Sequence, residues 1–207
     1  MSNKEIQRQR MTRYFIDAAK TIIRTEGAAD VTVRKVAEVA GYSYTTMYNY
    51  FADLNELLWY VIADYVDEMV TVMRNTAEEQ KKAGLDDVAL CKATLTAYVN
   101  FYLDNPGAYR FGFFEQIGEP PQAVLEKLQT PVMANLQADQ LLACVEKGLL
   151  VQEDLAVISD LMTGFVHGLL LFYFSERRQL GEKQLFAKLE QGVDYLLKRK
   201  EGKDGDD

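Results

Sequence analysis

Residues 32–51 read Thr-Val-Arg-Lys-Val-Ala-Glu-Val-Ala-Gly-Tyr-Ser-Tyr-Thr-Thr-Met-Tyr-Asn-Tyr-Phe. Two short helical patterns flank one glycine. Thr32 is placed to cap the first, its hydroxyl accepting from an amide that has no partner within the helix. Val33, Val36, Ala37 and Ala40 then recur at helical spacing and make one apolar face. Gly41 follows the last periodic residue, where a left-handed backbone ends a helix without a Cβ clash. Ser43 caps the second pattern only two residues later, so the two helices must cross steeply. The small Ala37 and Ala40 suit a close crossing. This is the layout of a helix-turn-helix.

The second pattern, Tyr44 to Phe51, predicts a helix of about two turns. Met47 and Phe51 are four apart and share an inward face. Tyr44, Thr45, Thr46, Tyr48 and Asn49 are left facing outward. A solvated helix would carry Lys, Glu or Gln there. Hydroxyls, an amide and phenol rings suit phosphates and base edges. An aromatic interface with another protein is the alternative that spacing alone leaves open.

The stretch resembles the DNA-binding domain of TetR-family transcriptional regulators. The matching residues are Thr32, Val36-Ala37, Ala40-Gly41, Ser43, Thr46-Met47-Tyr48, Tyr50-Phe51, Glu56 and Leu57-Leu58. Upstream, Phe15, Ala18-Ala19, Ile22 and Ile23, followed by Glu26-Gly27, look like that family's first helix and its ending. The likeness runs over about residues 8–60. It implies that the helix opened by Ser43 lies in the major groove. It also implies that Tyr48 and Tyr50 meet the phosphate backbone, with Thr32 and Arg34 making backbone contacts from the preceding helix. Tyr44, Thr45 and Thr46 then fall where base readers are found, with Asn49 beside them. Two positions depart from the family's pattern. Thr45 stands where a small residue, commonly Gly, is usual, and Leu54 stands where a phosphate-touching Lys is common. Asp53 and Glu56 keep the spacing of a helix cap and its reciprocal partner.

The chain carries a net charge of −8, unevenly spread. Residues 1–52 hold eight Lys or Arg against five acids, and residues 53–207 hold fifteen against twenty-six. A basic end on an acidic body fits attraction to DNA at one end only. Lys4, Arg8 and Arg10 form a basic arm. The boundary expected from this is a DNA-binding domain over 1–52 and a ligand-sensing and dimerisation domain over 53–207. Four prolines and near-continuous helical periodicity predict an all-α fold.

Cys91 and Cys144 stand apart from any partner motif and are expected to be buried apolar residues in a reducing cytoplasm, a redox pair being the alternative. No leader and no membrane span are expected. The longest apolar run, Leu161 to Phe174, is broken by Thr163, Gly164 and His167-Gly168. One histidine, no phosphate-binding glycine loop and no metal-ligand cluster argue against an enzyme, a metal or a cofactor.

Beyond Asp53, helices are expected over 53–82, 86–104, 108–117, 122–147 with a bend near Pro131, 154–178 and 182–200, with a disordered tail after Glu201. The resemblance implies that the last two pair with their copies in a homodimer. Leu161, Phe165, Leu169 and Phe172 share a face there, and Gly164, His167 and Gly168 offer close-packing positions. Tyr65, Met69, Tyr98, Phe101, Tyr102, Tyr109, Phe111, Phe113 and Phe114 are the candidate lining of an effector pocket, with Glu115 or Asp64 as polar anchor. Plain core packing is the alternative for each of them. The function expected is that of an operator-binding repressor released by a small molecule. A helical dimer that binds ligand or protein but not DNA is the alternative.

Overall fold

The computed structural model describes residues 2–129, 132–175 and 180–197. Those residues hold helices and no strand. In chain order the helices are α1 Asn3–Thr25, α2 Val33–Ala40, α3 Tyr44–Met47, α4 Leu54–Lys82, α5 Asp87–Asp104, α6 Pro106–Phe114, α7 Gln122–Gln129, α8 Val132–Glu146, α9 Leu155–Phe174 and α10 Glu182–Leu196. Short 3₁₀ turns precede α2 and α9. The expected bend at Pro131 and the tail after Glu201 lie outside the described residues.

The chain forms two compact units: residues 1–69 with 102–130, and residues 70–101 with 131–207. This geometric division differs from the expected functional one at residue 52. The first half of α4 and all of α6 belong with the N-terminal helices. In this first unit α1 buries Phe15, Ile16, Ala18, Ala19, Ile22 and Ile23 along one face. Helix α6 meets α1 at Gly107, where a Cβ would stand 2.9 Å from the Ile23 carbonyl oxygen. No larger residue fits without moving backbone. Further along, the Trp59 indole N–H donates to the Gly118 carbonyl at 2.7 Å, and the Gly118 amide donates to Asn55 Oδ1 at 2.8 Å. Asp53 caps α4 through the Glu56 amide at 2.8 Å, and Glu56 returns to the Ala52 amide at 2.5 Å. The reciprocal partner is thus Ala52 rather than Asp53 itself.

In the second unit α9 and α10 pack together, with Ile158, Met162, Val166, Leu169 and Leu170 buried on α9 and Leu185, Leu189 and Val193 on α10. The Phe165 ring occupies the place a Cβ at Gly192 would take, 2.2 Å away. Helices α5 and α8 run antiparallel: Asp87 pairs with Lys147, and Thr94 Oγ1 lies 2.9 Å from Gln140 Oε1. Cys91 and Cys144 are buried between those two links. Burial pushes the Cys91 thiol up to about 12, which keeps it protonated and unreactive. The segment Gln152–Phe174 is, against expectation, long and apolar enough to cross a membrane by length and composition. One face of α9 is nonetheless committed to the core of this unit.

Candidate nucleic-acid interface

The first two helices of the candidate interface fold as their sequence dictates. The Thr32 hydroxyl oxygen accepts from the Lys35 amide at 3.2 Å. Gly41 takes the left-handed conformation, φ 77°, and the next amide, Tyr42, reaches back to the Ala37 carbonyl at 2.9 Å. Val36, Ala37, Met47 and Phe51 are buried against α1 and its neighbours. Phe15 supplies the centre of that packing, with ring contacts to Tyr42, Tyr50 and Phe51.

Helix α3 is shorter than its pattern predicts. Regular α-helix covers only Tyr44–Met47, and Tyr48 to Tyr50 continue as a tighter turn. The Asn49 amide donates to Thr46 and the Tyr50 amide to Met47, both three residues back. Two adjacent threonines followed by aromatics are poor helix formers, and so short a segment gains little from helical cooperativity. The tightening leaves Tyr44 56% and Tyr48 49% exposed, with Thr45 and Asn49 also in solvent. Thr46 differs from expectation. It is half-buried, and its hydroxyl lies 2.8 Å from the Ser43 hydroxyl, whose oxygen also accepts the Thr46 amide at 3.2 Å. Tyr50 is half-buried too, its ring against Phe15 and under the Arg8 guanidinium at 5.8 Å.

Residues 15–61 match the family model of bacterial regulatory proteins, tetR family. That segment spans α1 from Phe15, both helices of the motif and the start of α4, with the geometry just described. Residues 15–61 are thus a tetR-family domain. Solved structures agree in fold across nearly the whole length. RolR in complex with its ligand resorcinol is 21% identical, with 93% of this chain and 95% of that one covered at a TM-score of 0.64. A TetR family transcription regulator from Marinobacter aquaeolei VT8 is 17% identical, covering 91% and 96% at 0.65. A protein of unknown function from Rhodococcus sp. RHA1 is 17% identical, covering 90% and 93% at 0.73. At such identities these likenesses bear on the fold alone. Members of the TetR family are generally not enzymes.

The cations of this TetR-family domain divide into two groups. Lys20 Nζ lies 2.6 Å from both Asp64 and Glu68, Arg13 pairs with Asp17 and Asp64, and Lys35 pairs with Glu26, whose hydrogen bond pushes the ammonium up. Those charges hold helices together. Asp64, offered by the sequence as a ligand anchor, is therefore occupied by α1. Lys4, Arg8, Arg10, Arg24 and Arg34 stay exposed. The first three are not an extended arm but the opening turns of α1, capped by Ser2. Arg8 also donates to the Tyr50 carbonyl at 3.5 Å, which ties those turns to the end of the recognition segment. Sequence reasoning missed Arg8 as a partner of Tyr50, because 42 residues separate them and only the local charge excess hinted at it.

The other expected site residues scatter. Tyr65, Met69, Tyr102, Phe113, Phe114 and Glu115 lie in the first unit, and Tyr98 and Phe101 in the second. Tyr65 is buried beneath Lys20 Nζ at 4.4 Å, and burial pushes its phenol up to about 12. Tyr102 packs on Tyr109 and Phe113, while Phe113, Phe114 and Glu115 are exposed. On α9, Leu161 and Phe172 are each 53% exposed. With half-buried Phe165 they line an open groove of about 680 Å³ shared with Tyr195 and Leu196 of α10. Gly164 and half-buried Gly168 have nothing near the position of a Cβ, so they are not close-packed within this chain. Half-buried His167 has its Nε2 3.0 Å from the Tyr98 hydroxyl and lines a small, half-open cavity.

Proposed function

We propose that this TetR-family regulator is a repressor that binds a two-fold symmetric operator as a homodimer and leaves it when a small molecule binds residues 53–207. The observation that carries the reading is the exposed face of Tyr44, Thr45, Tyr48 and Asn49, held outward by a fully packed apolar side. Tyr44 and Thr45 are the base readers, with Thr46 held back by Ser43. Tyr48, Tyr50, Thr32 and Arg34 meet phosphates. Two copies then set their α3 segments in successive major grooves, about 34 Å apart.

The exposed apolar groove along α9 and α10 supports dimerisation by those helices. A solvated helix pair rarely leaves Leu161, Phe172 and Tyr195 together in water. An effector is supported by the resorcinol held by RolR, a protein of similar fold. Its binding displaces α4, which runs from Leu54 beside the recognition segment to Lys82. Displacement follows only where the effector favours one arrangement of the helices over the other. Leu54, in place of a cation, favours the alternative of a dimer without DNA, and one assay separates the two. In a mobility-shift titration at stated salt, the region upstream of the chain's own gene should bind far more tightly than random duplex. Equal affinity for both would reject the operator-binding reading.

A further inference from the structure

Cys91 and Cys144 are the two cysteines of the chain, and both are fully buried as free thiols. The register of two helices sets them opposite each other. On α5, Asp87, Cys91 and Thr94 follow at i, i+4 and i+7, which is one face of a helix. On α8 and the turn that ends it, Gln140, Cys144 and Lys147 follow at the same spacing. Asp87 pairs with Lys147 at one end of this face, and Thr94 Oγ1 meets Gln140 Oε1 at 2.9 Å at the other. With a rise of about 1.5 Å per residue, the two cysteines fall between those links at nearly the same height, offset by about one residue. The rise of the Cys91 thiol agrees with that placement, since its causes are burial first and the nearby Cys144 second.

We propose that Cys91 and Cys144 are an oxidant-responsive pair that closes to a reversible disulfide tying α5 to α8. The proposal is independent of the operator and effector readings above. While the two helices stay packed, the thiols are protonated and shielded. The α5–α8 contact is nonetheless incompletely satisfied. Gln140 Nε2 is buried beside the Thr94 link without a hydrogen-bond partner. Parting the helices there returns a stranded donor to water, which makes opening cheaper than in a fully paired core. In the parted state one thiol ionises and meets a small peroxide. Its thiolate attacks a peroxide oxygen: the S–O bond forms, the O–O bond breaks, and the leaving hydroxide takes up a proton as water. The facing thiol then gives up its proton and attacks the sulfenic sulfur. The S–S bond forms, the S–O bond breaks, and a second water leaves. The pair loses two hydrogens in all, and the peroxide is reduced to two waters. A thiol reductant reverses the step. The bond closes a loop of about fifty residues, so the oxidised chain holds α5 and α8 in one arrangement.

The test uses the full chain, reduced and then exposed to hydrogen peroxide, with the urea-unfolded chain as the measure of sufficient exposure. The intact mass should fall by two hydrogens, and a peptide map should show one crosslink, between Cys91 and Cys144 of the same chain. Tm should rise by about 10 °C. Dithiothreitol should reverse both changes. Cys91→Ser and Cys144→Ser should each abolish the rise in Tm and leave the remaining cysteine as a sulfenic acid that dimedone traps. Should either variant misfold, the mass and peptide map of the unaltered chain still decide. Two free thiols after exposure that oxidises the unfolded chain, separate sulfinic acids, a disulfide joining two chains, or a crosslinked chain of lower Tm overturns the proposal.

Discussion

The surface proposed to face DNA and the four-helix cavity are built in opposite ways. The first draws most of its outward residues from one run, Tyr44 to Tyr50, and its inward ones from residues 36–51 and the one helix, α1, packed behind them. The second draws seven residues from four helices, spread from Met73 to His167. A surface made of consecutive residues can be read from periodicity, because i and i+4 share a face whatever else the chain does. An interior assembled from distant residues depends on which helices come together. A surface of neighbouring residues therefore tolerates change elsewhere in the chain, whereas a cavity between helices is sensitive to every helix around it.

The largest expected effect strikes the inward side of the DNA surface. Phe15→Ala removes a ring that is fully buried and shared by Tyr42, Tyr50 and Phe51, and should cost about 3–5 kcal/mol in denaturant unfolding. Operator binding should fall with it. A loss under 1 kcal/mol would mean that the local run needs no tertiary support, contrary to about what core Phe deletions cost.

Next come changes on the outward side. Tyr44→Ala should alter operator preference by about 1–3 kcal/mol at one base position, read by binding to a panel of single-base variants. Tyr48→Ala should weaken all sequences alike. An equal effect of both variants on all sequences would remove the division into readers and positioners.

Gly107→Ala probes the first unit away from the DNA face. The new methyl meets the Ile23 carbonyl, and a cost of about 1–3 kcal/mol in urea unfolding is expected. Unchanged stability would show that α6 can stand off from α1.

Smaller still is the effect of Arg8→Ala. If the opening turns of α1 lie along phosphates, the slope of log affinity against log salt should become shallower by about 0.9. An unchanged slope would confine Arg8 to its contact with Tyr50.

The smallest effect belongs to the cavity. His167 binds its proton less readily in the fold than unfolded, because burial disfavours the charged ring. The unfolded state therefore takes up the proton first as pH drops, and stability should decline below about 6.5, the unfolded value, while being fully present above it. His167→Gln should flatten that part of a urea-midpoint profile. An identical profile in the variant would place the titrating group elsewhere.

Much of the DNA surface was legible beforehand for a physical reason. Thr32 and Ser43 cap, Gly41 turns left-handed, and Val36, Ala37, Met47 and Phe51 point inward, all by rules that act within a few residues. Thr46 escaped them, because its hydroxyl answers the cap beside it rather than solvent. The ligand region resisted for the opposite reason. Its aromatics look alike in sequence, yet Phe113 and Phe114 end exposed while Tyr102 and Tyr109 are buried. Nothing local distinguishes them.

The sequence by itself determined an all-helical chain, the order and approximate limits of its helices, and the residues of the helix-turn-helix. Helical period, caps and glycine turns are set by neighbours in the chain. Only the tertiary structure decided that α6 joins the N-terminal helices, that Asp64 answers Lys20 and Arg13, and that the single histidine meets Tyr98. Each of those outcomes depends on a pairing across tens of residues. It is settled by which apolar faces and opposite charges can be buried together, and periodicity does not encode that.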